Sequence, residues 1–243
     1  MSVSHAIKMA FGIMIGFNMR EGQIIRLTKQ PNTITTLYHG LLRLGVGSGD
    51  TVLVHSSLSG LGWVCGGAPA VITALLNALG NTGTLVMPAH SGDWSDPAGW
   101  ENPPVPEDWI PTIRENMPAF NPSIAPTRGM GRIAELFRTF PGTLRSNHPQ
   151  VSFCANGKFA EQITAHHPLT PQLGSDSPLG KIYDRGGKVL LLVWAMDLAP
   201  VFIFPNPSFP ECLKSKWVLP YWKMGNGYGS GLTILHITPR TLS

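Results

Sequence analysis

Two short apolar segments, Thr51 to His55 and Thr84 to Met87, bracket a helical pattern over Ala68 to Leu79, and this strand, helix, strand order constrains the fold more than any other feature. A crossover of this kind implies parallel strands in a sheet covered by helices, with ligands at the carboxyl ends of the strands. Apolar spacing predicts a preceding helix over Thr33 to Leu44, and Gly45 to Asp50 reads as the turn into the first strand. Downstream, helical spacing resumes over Arg132 to Phe140, a strand is expected at Val151 to Ala155, a helix at Phe159 to His166 and a buried strand at Val189 to Leu192. With no internal repeat, the pattern predicts one layered α/β domain whose mainly parallel central sheet is flanked by helices.

Between the first strand and its helix lies His55-Ser56-Ser57-Leu58-Ser59-Gly60-Leu61-Gly62-Trp63-Val64-Cys65-Gly66-Gly67. Glycines let backbone approach an anion, serines donate hydroxyls, and the first N–H groups of the next helix attract negative charge. Taken alone, such a turn is equally an ordinary connection. His90 to Pro126 is crowded with proline and carries Trp94, Trp100 and Trp109, which points to a long, ordered loop. Charged residues make up 13% of the 243, the formal charge is +4, and lysine and arginine form no block, so no nucleic-acid partner is expected. The apolar patch Ala6 to Phe17 is interrupted by Lys8 and too short to span a bilayer, so no membrane association is expected. The three cysteines, Cys65, Cys154 and Cys212, show no CxxC spacing, which suits a reducing cytoplasm without a disulfide framework or a metal site. Cys65 is expected to be a small packed residue.

The stretch HSSLSGLGWVCGG closely resembles the aminoglycoside N3-acetyltransferase family. So do Thr84 to Ser91, Glu101-Asn102-Pro103-Pro104-Val105-Pro106, Pro126-Thr127-Arg128-Gly129-Met130-Gly131-Arg132 and Arg145-Ser146-Asn147-His148-Pro149. The likeness runs from about Ile24 to about Leu192, dividing the chain into an extension over 1–18, an acetyltransferase-like domain over 19–192 and an aberrant tail over 193–243. It implies acetyl-CoA as cosubstrate, bound by His55, Ser56, Ser57, Leu58, Ser59, Gly62, Arg128, Gly129, Met130, Gly131, Arg132 and Ser146. An antibiotic amine is the implied acceptor, and a homodimer is allowed. Aminoglycosides are polycations, and the acidic loop offers Asp93 and Glu101 as substrate contacts. The Arg128 to Ile133 segment also has a superficial likeness to the Arg-x-x-Gly-x-Gly/Ala loop of the GNAT fold, but its final small residue is missing.

Acetyl transfer to an amine needs a positioned base and a carboxylate to orient it. In the family, a Gly-His turn and an Asn-Thr-Ser-Leu-His-x-Ala-Glu helix follow the strand that Val189 to Leu192 resembles. Here Val193-Trp194-Ala195-Met196-Asp197-Leu198-Ala199-Pro200 follows instead. Reading codons from each third base, Trp194-Ala195 and Met196-Asp197 each force a glycine, and permitted bases between and after them give LGHGSSTSLHLSE. The same displaced frame forces a glutamate at Trp222-Lys223 and a glycine at Met224-Gly225. The tail is therefore expected to be frame-shifted and to pack poorly, leaving His90 as the residual candidate base. Two alternatives stand beside this impaired acetyltransferase: a non-catalytic CoA- or aminoglycoside-binding protein, and an acyltransferase acting on a different amine.

Overall fold

The fold is organised around β1 (Thr51–Ser56), in which every residue but His55 is buried. A strand that is apolar on both faces must be covered on both. The computed structural model describes residues 21–192 and the strand 232–236, so the expected extension over 1–18 lies outside the described residues. β1 pairs in parallel with β2 (Thr84–Pro88) on one side and with β5 (Lys188–Leu192) on the other, in registers that align Thr51 with Thr84 and Ser56 with Leu192. The six-stranded order is β3 (Leu144–Arg145), β4 (Phe153–Gly157), β2, β1, β5 and β6 (Leu232–His236).

The two faces follow the period-2 alternation of the strands. Val52 and Val54 of β1, Leu85 and Met87 of β2, and Leu190 and Leu192 of β5 point into one core. Its other side is built by α2 (Ile34–Arg43), α3 (Gly67–Leu79) and α5 (Gly131–Phe137), through Leu41, Ile72, Leu75 and Phe137 among others. Leu53, Val86 and Val189 point the opposite way, against Ile163 of α6 (Ala160–Thr164) and Ile182 of α7 (Pro178–Asp184). Thr33 starts α2 with a reciprocal cap: its hydroxyl accepts from Thr36 N–H while its own N–H donates to the Thr36 hydroxyl.

The expected sheet is present, with a narrower parallel centre than the β-α-β reading suggests. β4 (Phe153–Gly157) returns antiparallel beside β2, aligning Thr84 with Gly157, and the two-residue β3 (Leu144–Arg145) pairs antiparallel with β4. β3 and β4 are joined by a short link, which suffices only for antiparallel neighbours. The loop after β2 is more structured than its prolines suggest. It holds 3₁₀ turns at Gly92–Trp94, Pro97–Gly99 and Glu107–Trp109, then α4 (Ile110–Asn116), where Pro111 occupies the first turn and loses no helical bond. Trp94 and Trp100 tie this loop down by donating to the Pro118 carbonyl and the Ser95 hydroxyl, whereas Trp109 is exposed.

Two departures are sharper. Cys65 is exposed, because the turn around it faces its backbone inward: Cys65 N–H donates to Asn32 O. Within the tail expected to pack poorly, β6 (Leu232–His236) pairs antiparallel along all of β5. An open strand edge is a template for any segment of suitable β propensity. Residues 193–231 and 237–243 lie outside the described residues.

Phe137 ends α5 inside the core and is fully buried. Phe137→Ala is expected to cost about 3–5 kcal/mol, read as a lower urea midpoint at unchanged m-value.

Candidate functional site

The parallel trio β1, β2 and β5 ends at Ser56, Pro88 and Leu192, and Ser57 N–H donates to Leu192 O at 2.8 Å, so the turn after β1 starts from a secured position. Ser57 and Ser59 hydroxyls lie 3.1 Å apart, and a 3₁₀ turn covers Ser59–Leu61. Gly62 then takes φ +75°, and an added Cβ there would stand 3.0 Å from the Thr28 hydroxyl. Thr28 and Asn32 were not singled out in the sequence, yet they hold this turn. The Thr28 hydroxyl accepts from Trp63 N–H at 2.8 Å, Asn32 Nδ2 donates to Leu61 O at 2.7 Å, and Asn32 N–H donates to Trp63 O. The missed signal was one of position: both residues follow α1 (Glu21–Leu27) in a segment that reads as a plain linker.

The second glycine turn, Arg128 to Gly131, meets the first. Gly131 has φ +82°, and an added Cβ would lie 3.7 Å from Ser56 O. Glu135, in α5, pins this turn from behind by accepting from Thr127 N–H at 2.8 Å and Thr127 hydroxyl at 2.7 Å, and from Arg138 Nε at 2.7 Å. Burial pushes the Glu135 carboxyl up, but these hydrogen bonds outweigh it and hold it below the ordinary range. Met130 is buried and packs in the core, Leu58 packs against it, Gly129 borders open space, and Arg132 is exposed. Arg128 N–H donates to His90 O at 2.8 Å, and its guanidinium binds the Asp93 carboxylate and, at 3.1 Å, Asn102 O. Asp93 and Arg128, expected to serve different ligands, are thus partners. Glu101 is exposed, next to Asn102. Asp96 is gripped by Arg114, so the acidic loop is partly neutralised from within.

Behind the turns, Arg145 closes the long loop at both ends, donating to Ala89 O and Ser91 Oγ on one side and to Pro122 O and Ala125 O on the other. His55, His148, His167 and Arg145 all act electrostatically on His90. Ser146 is fully buried. Phe153 N–H donates to its hydroxyl, the hydroxyl lies 2.9 Å from His167 Nδ1, and His167 Nε2 lies 2.7 Å from Gln172 O. Since a carbonyl only accepts, Nε2 carries the proton and Nδ1 accepts from Ser146. His148 Nδ1 accepts from Gln150 and Val151 N–H, each at 3.1 Å.

Burial lowers His55 to about 4 and His167 to about 4. His90 is lowered to about 3, by burial first and then by His55, His167, His148 and Arg145. Its ring stands edge-on to Phe153 at 5.4 Å. A group so weakly basic is poorly matched to proton abstraction near neutrality. Cys154 is buried and pushed up to about 12, which leaves it an inert thiol.

Glycine turns at the carboxyl ends of β1 and α5's amino end, over a parallel trio, match a known family. Residues 53–199 fit the aminoglycoside 3-N-acetyltransferase family profile. The chain belongs to this family. It is 51% identical over 189 residues to YokD, an SPbeta prophage-derived aminoglycoside N(3')-acetyltransferase-like protein of Bacillus subtilis (strain 168), covering 77% of this chain and 70% of that protein. The YokD crystal structure superposes with a TM-score of 0.69 at 52% identity, covering 70% of this chain and 63% of that one. Aminoglycoside N(3)-acetyltransferase VIII of Streptomyces fradiae is 39% identical over 180 residues, covering 74% of this chain and 62% of that protein. A solved binary complex of AAC-IIIb with CoASH gives a TM-score of 0.58 at 39% identity, covering 67% of this chain and 60% of that one. The chain thus spans about 60–70% of the length of these family members. Among the described residues, no helix is long and apolar enough to cross a membrane, and no group of His, Cys, Asp or Glu is arranged to hold a metal.

Two outcomes follow from the site's construction. Thr28→Val leaves Trp63 N–H without its acceptor, at an expected cost of about 1–3 kcal/mol, and hydrogen exchange at the Trp63 amide should accelerate selectively. The histidines bind protons more weakly folded than unfolded, so between the ordinary value of 6.5 and the folded values of about 4 (His55, His167) and about 3 (His90) the unfolded chain carries the extra protons. Stability should be full above about pH 6.5 and fall as pH drops toward 4, and urea midpoints that stay flat across that window would contradict it.

Proposed function

We propose that this protein binds acetyl-CoA and an aminoglycoside at the carboxyl ends of β1 and β2, and that acetyl transfer between them is impaired by the sequence after Leu192. The observation that carries the reading is the contact between the two glycine turns, where Gly131 stands against Ser56 O. The donor set suits an anionic cosubstrate: Ser57 and Ser59 hydroxyls lie partly exposed, the Arg128 side chain is half exposed, and an added Cβ at Gly129 meets nothing within 4 Å. His55, Ser56, Leu58, Gly62, Met130 and Arg132 shape or flank these turns. Membership in a family that includes a CoASH complex supports the same assignment.

Bound acetyl-CoA supplies the acyl group as a thioester. The chain's own residues would have to hold the acceptor, through Asp93 and Glu101, and take the ammonium proton. His90 is a poor acceptor for it at about 3. Beyond Leu192, Ala195, Met196, Phe202 and Phe204 stand where the displaced frame would supply glycine, histidine and serine, and none of them accepts a proton. A frame-shifted tail accounts for both a family profile that ends at residue 199 and the loss of the histidine and glutamate segment. On this reading the protein acts in the cytoplasm, consistent with its lack of CxxC spacing, and its diffuse charge favours small-molecule ligands over nucleic acid.

A thiol-release assay with acetyl-CoA and an aminoglycoside panel tests this. The chain as it stands should turn over at least about 10²- to 10⁴-fold more slowly than one restored to the displaced frame after Leu192, the usual cost of losing a general base. Equal turnover by the two chains would refute the reading, and His90 would then be the first residue to replace.

A further inference from the structure

Asp93 and Asp96 sit three residues apart in one loop, and each binds an arginine, but the arginines come from different places. Arg114 belongs to the loop's own α4 and grips Asp96 through Nε at 3.1 Å and Nη2 at 2.9 and 3.0 Å. That fork is internal bracing. Arg128 belongs to the glycine turn that meets β1, so its pair with Asp93 bridges the turn proposed for the cosubstrate and the loop proposed for the antibiotic. The Arg128 backbone is anchored to His90 O at 2.8 Å, whereas its side chain is 50% exposed and that of Asp93 is 37% exposed. Both charges can therefore exchange partners from solvent without movement of the backbone.

We propose that the Asp93–Arg128 pair couples the two ligands by charge exchange. An anionic cosubstrate draws Arg128 from Asp93, and the released carboxylate takes an ammonium group of the polycationic antibiotic. The inference rests on the reading of the site as one for acetyl-CoA and an aminoglycoside. Either ligand alone breaks the internal pair and leaves one charge without its partner. Both together replace one ion pair with two. Each ligand thereby removes part of the cost of binding the other, and thermodynamic linkage makes the effect reciprocal. The antibiotic carries several ammonium groups, so the one held by Asp93 need not be the one that is acetylated.

Titration calorimetry on the full chain, with CoA and sisomicin as probes, measures this. In the wild type, saturating sisomicin should tighten CoA about 2- to 5-fold, the scale of one exposed ion pair, and CoA should tighten sisomicin by the same factor. Asp93→Asn should bind CoA more tightly than the wild type, bind sisomicin more weakly and lose the coupling. Arg128→Gln should show the mirror image, with CoA weaker and sisomicin tighter. A bracing role for the pair would instead weaken both ligands in both variants, and that result overturns the proposal. CoA binding to the wild type without coupling also overturns it while leaving the site reading intact, and because this needs no variant it does not depend on either substitution folding. Absence of any CoA binding to the wild type overturns the site reading and the coupling with it.

Discussion

The rest of the structure depends on a single strand held between two parallel neighbours. β1 is buried on both faces, and its backbone is shared between β2 and β5. Parallel pairing makes all three strands end on the same side of the sheet, and each chain must leave that side by a loop. Ser57, His90 and Leu192 therefore meet at one rim, although they are far apart in sequence. The glycine turns converge because the helices that follow them, α3 and α5, pack on the same face of the sheet and on each other.

A long loop and a buried polar layer support that rim. Arg145 brings a charge into a partly buried position and is satisfied there by backbone carbonyls and serine hydroxyls, groups that leave the cation's charge uncompensated. The buried histidines stay neutral chiefly because burial penalises their charged forms, and His148 and His167 are held in defined tautomers by backbone N–H groups and a carbonyl. A neutral, tautomer-locked histidine layer next to a buried cation is good scaffolding and poor proton-transfer machinery. The physical character of this layer explains why a histidine count alone is misleading in this chain.

Most of the elements were legible from local pattern. Thr33 announces its helix as a capping hydroxyl, Gly80 ends α3, and the β-branched and leucine runs at β1, β2 and β5 read as buried strands. The antiparallel return of β4 was not legible, because Phe153–Gly157 alternates in the same way whichever direction it runs. The structure inside the loop after β2 was obscured by prolines, which disfavour helix interiors but suit the first turn where Pro111 sits. Cys65 reads as a packed small residue from composition, and it is the backbone pairing of its turn with Asn32 that turns the side chain outward.

By itself, the sequence determined the layered α/β fold and the two glycine turns, because each is written in residues adjacent along the chain. Periodicity, turn chemistry and motif wording are local properties. Tertiary structure alone decided that Thr28 and Asn32 brace the first turn, that Glu135 braces the second, that Ser146 is buried against His167, and that Asp93 is paired with Arg128. Each of these depends on which atoms lie within about 3 Å, the length of a hydrogen bond. That distance is set by how strands and helices pack across dozens of intervening residues, and no spacing along the chain encodes it.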